Sequence, residues 1–283
     1  MGKYFGTDGF RGEVNKVLTV EHAYKIGRFI GWYYGRDHKA NIVIGKDTRR
    51  SGYMLEHALI AGITASGADA YMLHVTTTPS VSYITRIDDF DCGIMISASH
   101  NPFYDNGIKL INGNGEKMED EVQDLCEKYL DGEMEELPLA ERENIGKAID
   151  YAAGRNRYIG YLISLATHSY KHMRVGLDSA NGSTWQMAKS VFDALGAGAV
   201  GTFGAKIEDV GERAVVRLGF APLERPGDVP VASRRRRSLG VGRRGVRRKL
   251  LRLHQSRRRE RHGTRPRRLR HRQHGHDHRR RCG

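Results

Sequence analysis

Ser99, His100 and Lys109 lie within one short stretch, so a hydroxyl, an imidazole and an ammonium could share one loop. A hydroxyl can act as a nucleophile, an imidazole can take or return a proton, and an ammonium can neutralise negative charge. Residues 93–96 form an apolar run that reads as a buried strand. Pro102 cannot continue a strand ladder and biases Asn101 toward extended or turn geometry. The strand therefore ends in a loop that presents Ser99 and His100. Asn106-Gly107 predicts a second turn, after which residues 108–111 run back and return Lys109 toward Ser99. Ligands of open α/β sheets sit at the carboxyl ends of strands, which is where this loop would be.

Two further stretches suit an anion. Residues 6–12 hold three glycines with Thr7, Asp8 and Arg11. Glycines let backbone amides approach a phosphate, and an arginine can grip it with a bidentate fork. Lys46, Arg49 and Arg50 follow the compact apolar run 41–45, just past a second strand end.

The elements that must position these residues follow from periodicity and caps. Thr19 reads as the cap of a helix carrying Ala23, Ile26, Gly27 and Ile30, and Ser51 as the cap of a helix carrying Leu55, Leu59 and Ile63. A strand is expected over 70–75 and a short helix over 80–86. An amphipathic helix over 119–129 turns Val122, Leu125 and Cys126 inward. Residues 131–143 are acidic, contain Pro138 and read as a connector, with a domain boundary near residue 150. A helix over 158–165, a strand over 174–178 and a helix over 185–195 then begin a second unit, with Asp178 and Asn181 as turn and cap residues. The fold class is α/β. A mixed β-sheet with helices on both faces occupies 1–150, and the start of a similar α/β domain occupies 151–196.

Charge divides the chain sharply. Residues 1–196 carry 21 Lys+Arg against 26 Asp+Glu, whereas 197–283 carry 26 against 7. The second segment is arginine-rich and poor in apolar periodicity, so it cannot offset its ordering entropy. It reads as a disordered tail, or as out-of-frame translation of GC-rich coding DNA. Such a tail would bind nucleic acid only non-specifically and with steep salt dependence. The histidines within 271–278 show no ligand spacing for a formed metal site. Three cysteines with no close pairing suit a reducing compartment. No apolar run approaches the roughly 20 residues of a membrane span, and the N-terminus lacks a signal peptide. A cytoplasmic protein is the expectation.

The stretch 92–109 resembles the active-site serine loop of the α-D-phosphohexomutases. Gly6-Thr7-Asp8-Gly9-Phe10-Arg11-Gly12, Gly45-Lys46-Asp47-Thr48-Arg49-Arg50-Ser51-Gly52 and Thr77-Thr78-Pro79-Ser80-Val81 match further blocks of that family in order. The resemblance covers about residues 1–196 and is closest to the branch acting on glucosamine phosphates. It implies interconversion of glucosamine 6-phosphate and glucosamine 1-phosphate through a phosphoserine and a bisphosphorylated sugar. It also implies that Ser99 carries the phosphate and contacts Mg2+ through it, that His100, Lys109 and Arg11 assist, and that Thr7, Asn101, Lys46 and Arg49 bind substrate or phosphate.

The family's Asp-Gly-Asp-x-Asp-Arg metal loop has no counterpart in the sequence. A chain with little mutase activity of its own is therefore expected. The sister branches acting on mannose and glucose phosphates are the alternative within the family. A serine hydrolase is disfavoured because Ser99 lacks the G-x-S-x-G elbow.

Overall fold

The computed structural model describes residues 2–179, 182–200 and 215–217. The strands are β1 (Phe5–Gly6), β2 (Gly9–Glu13), β3 (Asn41–Lys46), β4 (Asp69–Val75), β5 (Cys92–Ile96), β6 (Asp105–Asn112) and β7 (Ala148–Asp150). They form one sheet in the order β1-β2-β6-β5-β3-β4-β7. The pairs β5–β3, β3–β4 and β4–β7 are parallel, and β1–β2, β2–β6 and β5–β6 are antiparallel. This is the mixed sheet that the sequence predicts.

Alternation along the central strands supplies two cores. Ile42 and Ile44 of β3 and Ile94 and Ile96 of β5 face helices α1 (Val20–Tyr34), α2 (Ser51–Ala65) and α4 (Asp120–Leu130). Val43 and Met95 face the other way, with Val81 and Ile84 of α3 (Thr78–Ile87), Tyr158 of α5 (Ala152–Ser164) and Met187 of α6 (Trp185–Ala194). Thr19 caps α1 as expected, in a reciprocal box with His22. α1 and α2 cross closely because Gly27 and Gly62 face each other's backbones. A Cβ on Gly62 would stand 2.2 Å from the Tyr24 carbonyl oxygen, and one on Gly27 2.4 Å from that of Leu59.

A second, parallel sheet orders β10 (Val215–Arg217), β8 (Arg174–Asp178) and β9 (Gly198–Val200). Most of the expected tail at 197–283, the histidines at 271–278 and Asn181 lie outside the described residues.

Several local expectations are corrected. Asn106-Gly107 is no turn: both residues lie inside β6. The Asn106 side chain accepts from the Gly107 amide at 2.9 Å and donates to Ser51 Oγ at 2.9 Å, so its polar groups are met within the strand. Of the seven residues 6–12, expected as a loop, five are strand and only Thr7 and Asp8 form the turn, because Gly6 and Gly9 close a tight hairpin. Arg50, not Ser51, holds the cap position of α2, and no side chain caps it. Leu125 is exposed, while Val122, Gln123, Cys126 and Tyr129 face inward. The helix expected from residue 158 starts at Ala152 and packs on the first sheet's face against α3 and β4.

Candidate active site

The connection from β5 to β6 builds the site. It turns at the carboxyl end of β5, where Asn101 N–H donates to the Ala98 carbonyl at 3.1 Å and Asp105 N–H to the Pro102 carbonyl at 3.1 Å. Asn101 Nδ2 donates to Asp105 Oδ2 at 3.0 Å, so its amide closes the loop. Ser99 is half-buried and has φ of 57°. A left-handed residue other than glycine costs about 1–2 kcal/mol, and such strain persists only where surroundings impose it. His100 is exposed on the loop, as are Phe103 and Tyr104.

Both peptide groups of Ser99 are held. Its N–H donates to Ser97 Oγ at 3.1 Å, and Ser97 Oγ donates to Asp47 Oδ2 at 2.8 Å. Its carbonyl accepts from Arg49 Nη2 at 2.9 Å. Arg49 also reaches the carbonyls of Asn101 at 2.9 Å, Asp105 at 2.9 Å and Pro102 at 2.5 Å, and its Nε donates to Asp47 Oδ2 at 3.0 Å. Asp47 Oδ1 accepts the Arg49 amide at 3.0 Å, which fixes the turn leaving β3.

Arg11 lies in β2 opposite Gly107 of β6. A Cβ at Gly107 would stand 2.7 Å from the Ser97 carbonyl oxygen and 2.8 Å from Arg11 Cγ. The missing side chain leaves room for the Arg11 stem to lie over Gly107 of β6. Arg11 Nη2 meets Asp8 at 3.0 Å, while its buried Nε has no partner among the described residues. Such a buried donor is costly unless something accepts from it.

Lys109 is cross-strand partner to Met95 on β5. Burial lowers its pKa, and the nearby Arg11 lowers it further, against weaker pulls from Asp8 and Asp47. Two cations thus share a partly dry place, which favours an arriving anion. Thr7 is exposed at the hairpin tip, beside Gly9, which packs on the backbone of Ile108 and Lys109.

The structure brings Arg11 and Lys109 together and ties Arg49 to the serine loop. Lys46 is placed elsewhere. Its side chain is 1% exposed, its Nζ pairs with Glu56 Oε2, and it lies 4.3 Å from the Tyr53 ring centroid. It does not reach solvent at the strand end, contrary to the expected phosphate contact. Asp47 and Ser97 were not singled out from the sequence. The available signal was the Asp-x-Arg spacing after a strand, which allows a carboxylate to bond the amide two residues on.

Among the described residues, no group of three or more His, Cys, Asp or Glu side chains could hold a metal ion. The carboxylates at the loop, Asp47 and Asp105, already accept from Arg49, Ser97 and Asn101. The described residues therefore do not by themselves fit a magnesium site.

Residues 2–136 match the family model of phosphoglucomutase/phosphomannomutase, alpha/beta/alpha domain I. The chain is 72% identical over 200 residues to a phosphoglucosamine mutase of Lachnospira eligens, covering 70% of this chain and 44% of that relative. It is 45% identical over 193 residues to a phosphoglucosamine mutase of Bacillus cereus, covering 68% and 43%. The chain thus spans less than half the length of these relatives. A solved structure of a phosphoglucomutase/phosphomannomutase family protein from Burkholderia thailandensis shares the fold, with a TM-score of 0.58 and 24% identity over 70% of this chain and 43% of that one.

Proposed function

Residues 2–136 belong to the phosphoglucomutase/phosphomannomutase family as its domain I, and from that premise we propose that this chain carries the phosphoserine half of a phosphoglucosamine mutase. The reaction is the interconversion of glucosamine 6-phosphate and glucosamine 1-phosphate. Ser99 Oγ attacks a phosphorus of the bisphosphorylated sugar. The Oγ–P bond forms as the P–O bond to the sugar breaks, and the Oγ proton ends on the sugar hydroxyl. The reverse step returns the phosphoryl group to either hydroxyl.

The observation that carries this reading is the unpartnered Arg11 Nε beside the partly buried Lys109, across β6 from a strained Ser99. A phosphate would give the arginine an acceptor and both cations a counter-charge. Phosphoryl transfer is mostly positioning and charge neutralisation, which this arrangement supplies. His100 follows Ser99 and is exposed on the loop; on this reading it exchanges the proton. Among the described residues, Mg2+ would be held only through a phosphate on Ser99. The glucosamine substrate rests on the two relatives' names, since the described residues include no recognisable sugar loop.

No helix among the described residues is long and apolar enough to cross a membrane. Cys92 and Cys126 are free and buried, which supports a reducing, cytoplasmic setting.

Incubating the full chain with glucosamine 1,6-bisphosphate should add one phosphoryl group to the peptide containing Ser99, read by peptide mass spectrometry. Ser99→Ala should abolish the label. A label on Ser97, or one that survives Ser99→Ala, overturns the assignment.

A further inference from the structure

A guanidinium has five N–H donors in a fixed fork. In Arg49 all five have protein acceptors: four backbone carbonyls of the serine loop and one carboxylate oxygen of Asp47. None is left for a phosphate oxygen. We propose that Arg49, Asp47 and Ser97 are positioning residues for phosphoryl transfer: they fix the backbone of Ser99, and so the direction of its Oγ, without touching the substrate. This rests on the reading of Ser99 as the phosphoryl carrier.

The geometry of the network supports the role. Two bonds enclose Ser99, one to its N–H through Ser97 and one to its carbonyl through Arg49, and both lead to the same carboxylate. Asp47 itself is anchored outside the loop. Its amide donates to the Ile96 carbonyl at 3.0 Å, so the network hangs from the ladder between β3 and β5. Ser97 is 6% exposed and Asp47 8% exposed, so little water competes for these bonds. The left-handed φ of Ser99 is therefore imposed from the sheet below.

A lysine cannot copy this. Its ammonium has three donors and no plane, so Arg49→Lys keeps the charge but cannot span four carbonyls. A residue that gripped phosphate by charge would tolerate that change better.

Two measurements on the full chain test the proposal. The first is the rate of Ser99 phosphorylation against glucosamine 1,6-bisphosphate concentration. Arg49→Lys and Ser97→Ala should each lower the maximal rate by roughly 10- to 100-fold, the loss expected from misplacement of about 1 Å. The half-saturating concentration should stay within about twofold. A raised half-saturating concentration with an unchanged maximal rate would make Arg49 a phosphate contact and overturn the proposal.

The second is amide hydrogen exchange without any sugar phosphate. Exchange in 97–105 should accelerate in both variants while β3 and β5 keep their protection. Unchanged loop exchange overturns the proposal even if the wild-type chain takes up no phosphoryl group, an outcome that would sink the functional reading alone. Should Arg49→Lys fail to fold, Ser97→Ala decides both measurements.

Discussion

Two arginines, Arg28 buried and Arg49 partly buried, hold irregular backbone at opposite ends of the parallel strands. At the amino ends, Arg28 of α1 is 1% exposed and donates to the carbonyls of Ala65 at 3.2 Å, Leu137 at 2.5 Å and Pro138 at 3.2 Å, and to Ser66 Oγ at 3.0 Å. At the carboxyl ends, Arg49 does the same for the serine loop. The carboxylates differ. Asp47 bonds Arg49 directly at 3.0 Å, whereas Glu136 is exposed and stands 4.0 Å from Arg28. The loops differ as well. Arg28 closes the connector after α4 onto the end of α2, while Arg49 encloses a residue in a strained conformation. One device thus closes a connector at one end and holds the conformation of the serine loop at the other.

The sharpest way to break this comparison is Arg28→Met. Removing the buried cation leaves several carbonyls without donors, so a loss of about 3–5 kcal/mol is expected, read as a lower denaturant midpoint. Arg49→Met should cost less, since its loop borders solvent. Equal losses would show that both arginines are structural.

Lys46 and Glu56 offer a second, smaller test at the functional end. Lys46→Met strands a buried carboxylate and should cost about 3 kcal/mol or more, whereas Lys46→Met with Glu56→Leu should recover most of that. Recovery would show that the pair sits beneath the site as packing. Failure of the double variant to recover would give the pair a part in the site.

The smallest effect is expected at Lys109. Its pKa is lowered by burial and by Arg11, so below that folded value the charged form weakens folding. The unfolded chain holds the proton more tightly, so this penalty lifts as pH rises through the folded pKa toward the ordinary lysine value. Lys109→Met should therefore raise Tm slightly at neutral pH in the absence of phosphosugar. The gain should shrink as pH approaches 10.5, the ordinary value. A lower Tm at neutral pH would show that Lys109 is already neutralised by protein groups.

Much of the positioning framework was legible in the sequence. The compact apolar runs became β3 and β5 because continuous burial on both faces leaves no other reading for such short segments. Thr19 capped its helix because its hydroxyl serves an otherwise orphaned amide. The failures share a cause: a polar side chain met its partner far along the chain. Asn106 looks like a turn residue until Ser51, on another element, is brought to it. Lys46 and Arg49 look like free cations until Glu56 and the serine loop are in place. Leu125 fits the inward face of its helix by spacing, but Gln123 takes the buried position and bonds the Met118 carbonyl at 2.6 Å. Periodicity reports which faces are apolar; it carries no information about which polar groups will find one another.

The antiparallel pairing of β5 with β6 acts as a ruler. Lys109 is held opposite Met95 by the ladder, and Ser97 continues that ladder by donating its amide to Gly107. The separation of the Lys109 amine from Ser97, two residues before Ser99, is thus counted in ladder rungs, not in loop length. An extra residue between Pro102 and Tyr104 would be absorbed as slack. The same insertion between Asn106 and Lys109 would shift the strand by one rung, turn the amine to the opposite face of the sheet and put an apolar neighbour in its place.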